Sequence, residues 1–167
     1  MSRRVLVAGI GNIFQTDDAF GVEVAARLAG LTLPPGVRVE DFGIRGVHLA
    51  YELLEGYDTL IIIDAVPMGD PPGTLAVLEP EAAPAAAPPD VAPAVDAHAM
   101  SPDVVLATLS RLGGSVERIF IVGCQPADLQ DGMGLTPAVQ AAVDGAVGLC
   151  LELLADITQL AGKGTNP

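Results

Sequence analysis

The sequence holds no tryptophan, and only four phenylalanines and two tyrosines among 167 residues. Its core must therefore be assembled from valine, leucine, isoleucine and alanine. Positive charge is equally scarce: eight Lys and Arg against 21 Asp and Glu leave a formal net charge of −13. That balance argues strongly against nucleic acid or an anionic membrane as a partner, since either would repel it. Cysteine occurs only as Cys124 and Cys150, too few for a secreted disulfide framework and far from any metal-knuckle spacing. There is no Gly-x-Ser-x-Gly elbow and no His-Glu-x-x-His helix, so covalent and HExxH-type hydrolysis lose their usual signatures. Internal repeats are missing as well. The long apolar C-terminal stretch carries Asp144, Glu152 and Asp156 and is not expected to span a bilayer. Ser2-Arg-Arg-Val-Leu faintly resembles a twin-arginine export signal, but the apolar run behind it soon meets Asn12 and Asp17-Asp18. It reads as a strand with a basic lead, and the expected location is the cytoplasm.

What is present is an apolar chain with a regular alternation of elements. Half of the residues are apolar, which predicts one packed domain over 1–167. Continuous β-branched runs at 4–8 and 59–66 read as strands buried on both faces, the second at the sheet centre. Residues 37–42 alternate as a further strand, 73–78 form a short one, and 118–122 a last one. Helices are predicted at 19–28, ended by Gly30, and at 47–54, with Val47, Tyr51 and Leu54 on one face and Gly56 ending it. Ser101-Pro102 starts a third helix with core residues Val105, Leu109 and Leu112. A long last helix carries Val139, Val143, Val147, Leu151 and Leu154 at helical spacing. Residues 79–96 are a low-complexity Ala/Pro segment, expected as an exposed loop, and 161–167 a flexible tail. Strands alternating with helices imply a three-layer α/β/α sandwich around a mostly parallel sheet.

The stretch that organises the chain is Gly9-Ile-Gly-Asn-Ile-Phe-Gln-Thr-Asp-Asp-Ala-Phe-Gly21, between the first strand and the first helix. Gly9-x-Gly11 invites a dinucleotide reading, with Asp41 as the ribose-binding acid. Phe14 stands where the third glycine belongs, and Asp17-Asp18 would repel a pyrophosphate. Carboxylates suit a cation instead. Asp64 ends the central strand and His98 precedes the third helix; in a 2-1-3 strand order both would converge with Asp17-Asp18 on the crevice at the strand ends. Two carboxylates and one imidazole make a site for a borderline metal such as nickel or zinc. Each residue also has an ordinary explanation: a helix-capping Asp64, a loop His98, a surface His48, a capping Ser101, an inert thiol at Cys124 and a core Cys150.

Gly9-Ile-Gly-Asn12 with Asp17-Asp18-Ala-Phe-Gly21, Ile63-Asp64-Ala-Val66, Asp96-Ala-His98-Ala-Met100 and Val122-Gly-Cys-Gln-Pro126 together resemble the ordered signatures of hydrogenase maturation proteases. The resemblance runs from Val5 to Leu154. It implies an α/β/α sandwich with a five-stranded mixed sheet, and an endopeptidase that removes a C-terminal extension from the large subunit of a nickel–iron hydrogenase after nickel insertion. By motif position it implies Asp18, Asp64 and His98 as catalytic and metal-contacting residues. Asp17 matches a neighbouring acid that is not the family's usual ligand. The nickel would arrive with the precursor, and no organic cofactor is implied. Asp41-Phe-Gly-Ile-Arg-Gly46 matches a Gly-rich box associated with substrate choice, making Asp41, Gly43 and Gly46 substrate-binding candidates; Ile44 stands where threonine is commoner, and Arg45 lies inside the box. Two alternatives share these residues: a self-contained metallohydrolase, and a nickel-sensing module without catalysis.

Overall fold

The computed structural model describes residues 3–80 and 102–163. Within them the chain runs β1 (Val5–Ile10), a 3-10 turn (Thr16–Ala19), α1 (Phe20–Ala29), β2 (Val37–Gly43), α2 (Gly46–Leu53), β3 (Thr59–Ala65), β4 (Leu75–Leu78), α3 (Pro102–Arg111), β5 (Arg118–Cys124) and α4 (Pro137–Lys163). Five strands form one sheet in the order β2-β1-β3-β5-β4. β1 runs parallel to β2 and β3, and β3 parallel to β5, whereas β4 is antiparallel to β5. The sheet is thus mostly parallel and mixed, with β3 at its centre.

Alternation along each strand divides the core. Val5 and Val7 of β1, Ile61 and Ile63 of β3, and Phe120 and Val122 of β5 pack with Phe20, Val24 and Leu28 of α1 and with the inner face of α4. Leu6, Ala8 and Ile10, with Leu60, Ile62 and Ile119, pack on the other side against Leu49 and Leu53 of α2 and Val105 and Leu109 of α3. Helices therefore cover both faces, as βαβ crossovers require. Glycine sets how closely α1 approaches. A Cβ on Gly21 would come within 2.1 Å of the Ile63 carbonyl oxygen, and one on Gly9 within 2.4 Å of that of Gly21. The first turn of α1 accordingly rests on the ends of β1 and β3.

Several expectations are sharpened or corrected. β1 continues to Ile10 and β5 to Cys124, because their last residues still pair with neighbours. The core face of α2 is not Val47, Tyr51 and Leu54, which are 56%, 55% and 39% exposed; it is Leu49, Ala50 and Leu53. Apolar residues occupy both stripes of this helix, and it is the second that packs with the strands. Leu112 is exposed, since α3 ends at Arg111 and Gly113 turns the chain with φ +87°. In α4 the buried line runs through Val139, Val143, Ala146, Cys150, Leu154 and Ile157, and Leu151 lies beside it. That helix extends to Lys163, so the tail expected from 161 begins as helix. Most of the Ala/Pro segment, together with His98 and Ser101, lies outside the described residues.

Phe20 is fully buried where α1 meets the sheet. Phe20→Ala is expected to lower the unfolding free energy by about 3–5 kcal/mol, visible as a lower urea midpoint with an unchanged slope.

Candidate active site

The first turn is built around Gly11. Its φ of +142° lies outside the range of ordinary residues, and a Cβ there would sit 1.8 Å from the Asp18 carbonyl oxygen. Only glycine lets the Asp18 backbone fold back over the end of β1. The Asn12 N–H then donates to Asp18 Oδ2 at 2.8 Å, while the Asn12 side chain accepts from the Phe14 N–H at 2.9 Å. Asp18 is held at the mouth of the sheet, partly accessible.

Asp64 comes to the same mouth from β3, one residue beyond Ile63, whose carbonyl touches the start of α1. Burial, and next the charge of Asp18, push the Asp64 carboxyl up to about 8 against a weaker pull from the Ala65 N–H. Asp18 and Asp64 are thus brought together, as the 2-1-3 strand order requires. His98 lies outside the described residues. Among those described, no three metal-ligating side chains gather into one group, so the two acids stand as a pair.

Asp17, next to Asp18, takes a different course. It is fully buried and turned toward the loop that follows β5. Its Oδ1 accepts from the Thr136 N–H at 2.8 Å; its Oδ2 accepts from Ala127 N at 2.8 Å and Asp128 N at 2.9 Å. The Thr136 hydroxyl reaches both oxygens, at 2.9 and 2.8 Å. Thr136 immediately precedes α4, whose amino end also favours a negative charge. Burial alone would raise this carboxyl; the N–H groups of Thr136, Asp128 and Ala127 and the Thr136 hydroxyl outweigh it and hold the group below the usual carboxylate range. The sequence placed Asp17 among the cation-facing acids without assigning it a structural role. A signal for its partner was present, since Thr136-Pro137 has the form of a helix cap followed by proline at the first position.

The substrate-box residues lie beside the first turn. Asp41 Oδ1 accepts from the Gly43 N–H at 2.7 Å, and the Gly43 carbonyl accepts from Gly11 N–H at 2.9 Å. The register of β1 on β2 shifts here, so that Asp41 faces Gly9 and Gly43 faces Ile10. Gly46 opens α2. Arg45 curls back to donate to the Phe42 and Asp41 carbonyls. His48 is exposed; it lines an open groove of about 360 Å³ with Glu40, Phe42, Arg45, Tyr51, Glu52 and Glu55, none of them from the first turn or β3. Cys124 is fully buried, and burial with the nearby Asp17 charge pushes its thiol up to about 11; Cys150 is buried and pushed up to about 12. Neither is a nucleophile at neutral pH. Gln125, unremarked in the sequence except within its motif, accepts from Met68 and Asp70 N–H groups and ties the loop after β3 to that after β5.

Asp17 and Asp64 should respond to pH with opposite signs. Asp17 is depressed in the folded state, so its stabilisation is present above its unfolded value and lost as pH falls through the folded one. Asp17→Ala is expected to cost about 3 kcal/mol at pH 7 and to flatten the acid limb of the Tm profile below about pH 4. Asp64 is raised, so wild-type stability falls as pH climbs from the unfolded value toward about 8. In a chelator-treated sample Asp64→Asn should raise Tm most at pH 8 and above and leave it nearly unchanged near pH 4, as thermal melts across that range would show.

Comparison with known proteins matches this architecture. A family model described as hydrogenase maturation protease fits residues 22–153. The "Hydrogenase 2 maturation protease" of Escherichia coli is 35% identical over 153 residues, covering 90% of each chain. The "Hydrogenase expression/formation protein HupD" of Rhodobacter capsulatus is 38% identical over 146 residues, 86% of this chain and 68% of that one. Among solved structures, the hydrogenase maturating endopeptidase HybD from E. coli superposes with a TM-score of 0.73 at 32% identity, covering 92% of this chain and 93% of that chain. The chain, a hydrolase with an α/β/α fold, belongs to the hydrogenase maturation protease family.

Proposed function

We propose that the protein is a nickel-dependent endopeptidase of the cytoplasm that removes the C-terminal extension of a nickel–iron hydrogenase large-subunit precursor once nickel is in place. The observation that carries this reading is the pairing of Asp18 with Asp64. A carboxyl kept protonated near neutral pH by burial and by a neighbouring carboxylate gives up its proton readily when a cation approaches. Such a pair is a poor resting arrangement for anions and a good receptor for a metal already partly coordinated elsewhere. Nickel suits it, because a borderline divalent ion accepts carboxylate and imidazole together; His98 is the imidazole that this reading assigns. The nickel is part of the substrate. A precursor that has not received it would present nothing for the acids to hold, which makes cleavage a check on metal insertion.

Asp18 and Asp64 would act by holding the precursor through its metal, so that the scissile peptide is kept beside them rather than encountered by diffusion. Asp41, Gly43 and Gly46, of which Gly43 is hydrogen-bonded to the first turn through Gly11, are proposed to read the identity of the partner. No organic cofactor enters the scheme. The free, buried state of Cys124 and Cys150 accords with a reducing compartment.

Incubation of the protein with nickel-loaded and nickel-free precursor from the same organism, followed by intact-mass analysis, tests the reading. Shortening of the loaded precursor alone is expected, with Asp64→Asn and His98→Ala slower by about 100-fold or more. An uncut loaded precursor would overturn it. Equal cleavage of both forms, with metal held tightly by the purified protein, would point instead to a self-contained metallohydrolase.

A further inference from the structure

We propose that Asp17 is a positioning residue for the reaction: its buried carboxylate locks the loop after β5 and the start of α4 onto the first turn, and so fixes where Asp18 stands. The inference rests on the reading of Asp18 as a working carboxylate. Asp17 and Asp18 are consecutive in the 3-10 turn Thr16–Ala19, yet they point to different surroundings. The first is fully buried and the second stays partly accessible. Both oxygens of Asp17 are occupied, by three backbone N–H groups and the Thr136 hydroxyl.

The backbone around it is stitched to the same loop. Asp17 N–H donates to the Asp128 carbonyl, Thr16 N–H to the Gly132 carbonyl, and Gly132 N–H to the Phe14 carbonyl, at 3.0, 3.0 and 2.9 Å. The Thr16 hydroxyl adds a bond to the Gln130 carbonyl at 2.8 Å. On its other side the Asp18 backbone is pressed against Gly11, with no room there for a Cβ. Asp18 is therefore gripped between β1 and the loop that Asp17 recruits.

A local strain marks the same place. Thr16 has φ +50°, the one positive value at a residue other than glycine among the described residues. A β-branched residue adopts that conformation only where its surroundings over-determine it. Here they do so one residue before Asp17, and the strained turn aims two successive carboxylates in different directions. A turn that needed only to connect β1 to α1 would have no use for it.

The test compares Asp17→Asn, Thr136→Val and Thr136→Ser with wild type on nickel-loaded precursor, at a temperature where circular dichroism shows each variant folded. The amide of Asp17→Asn turns a donor toward donors. It should lower kcat by about 100-fold, as a misplaced catalytic group does, with KM held within about threefold. Thr136→Val, which removes only the hydroxyl, should lower kcat by about fivefold, and Thr136→Ser should restore it to within about twofold of wild type. Variants that melt earlier but cleave at the wild-type rate when folded would reduce Asp17 to a stability residue and overturn the inference. A rise in KM with kcat intact would also overturn it, in favour of docking. If Asp17→Asn does not fold, the Thr136 pair decides alone. A wild-type chain that leaves the loaded precursor uncut removes the underlying reading and the inference with it, whereas cleavage by wild type and by every folded variant alike removes the inference only.

Discussion

One buried carboxylate organises the functional end of this protein. Asp17 gathers donors from Ala127, Asp128 and Thr136, and without them its burial would be prohibitive. The dependence runs both ways. The loop after β5 has few apolar anchors of its own: Leu129 and Met133 are exposed, at 41% and 73%. Its shape is set by polar bonds to the first turn. A satisfied buried charge of this kind specifies one arrangement of two loops where apolar packing alone would permit several.

Around that lock the fold supplies position. Parallel strands deliver β1 and β3 to a common edge, and Gly9 and Gly21 let α1 settle against them. The acids then arrive from two directions: Asp18 on a turn pinned by Gly11 and Asn12, Asp64 on the central strand of the sheet. Their neighbourhood is costly, because burial and the charge of Asp18 disfavour the ionised form of Asp64. The same cost explains why such a pair is kept at a site and not in an ordinary core.

Much of this was legible in the residues. The apolar run within residues 59–66 suggested a strand at the sheet centre, where β3 lies, and the alternation of strands and helices implied a layered α/β/α sheet. Asp18 and Asp64 could be paired because strand ends in parallel sheets converge. The role of Asp17 was not legible, because its partners lie more than a hundred positions along the chain, at separations of 110, 111 and 119. No local pattern announces a contact of that range. The buried face of α2 was not legible for a simpler reason: Val47, Tyr51 and Leu54 recur at helical spacing but so do Ala50 and Leu53, and periodicity cannot rank two apolar stripes. Asp41, a candidate ribose-binding or substrate-binding acid in the sequence, gives one carboxylate oxygen to the Gly43 N–H of its own turn and stays exposed.

Those long separations also govern the order in which the molecule can come into being. β1 and the first turn are made well before the groups that close around Asp17, which follow more than a hundred residues later. Until then the turn has its glycines and its strained Thr16 with nothing to hold them. Contacts so distant in sequence are slow to find, since a long loop must close before they repay its entropy. A nascent or C-terminally shortened chain would carry Asp18 and Asp64 without the frame that sets them. Competence would then be acquired only once Thr136 and the start of α4 have been made.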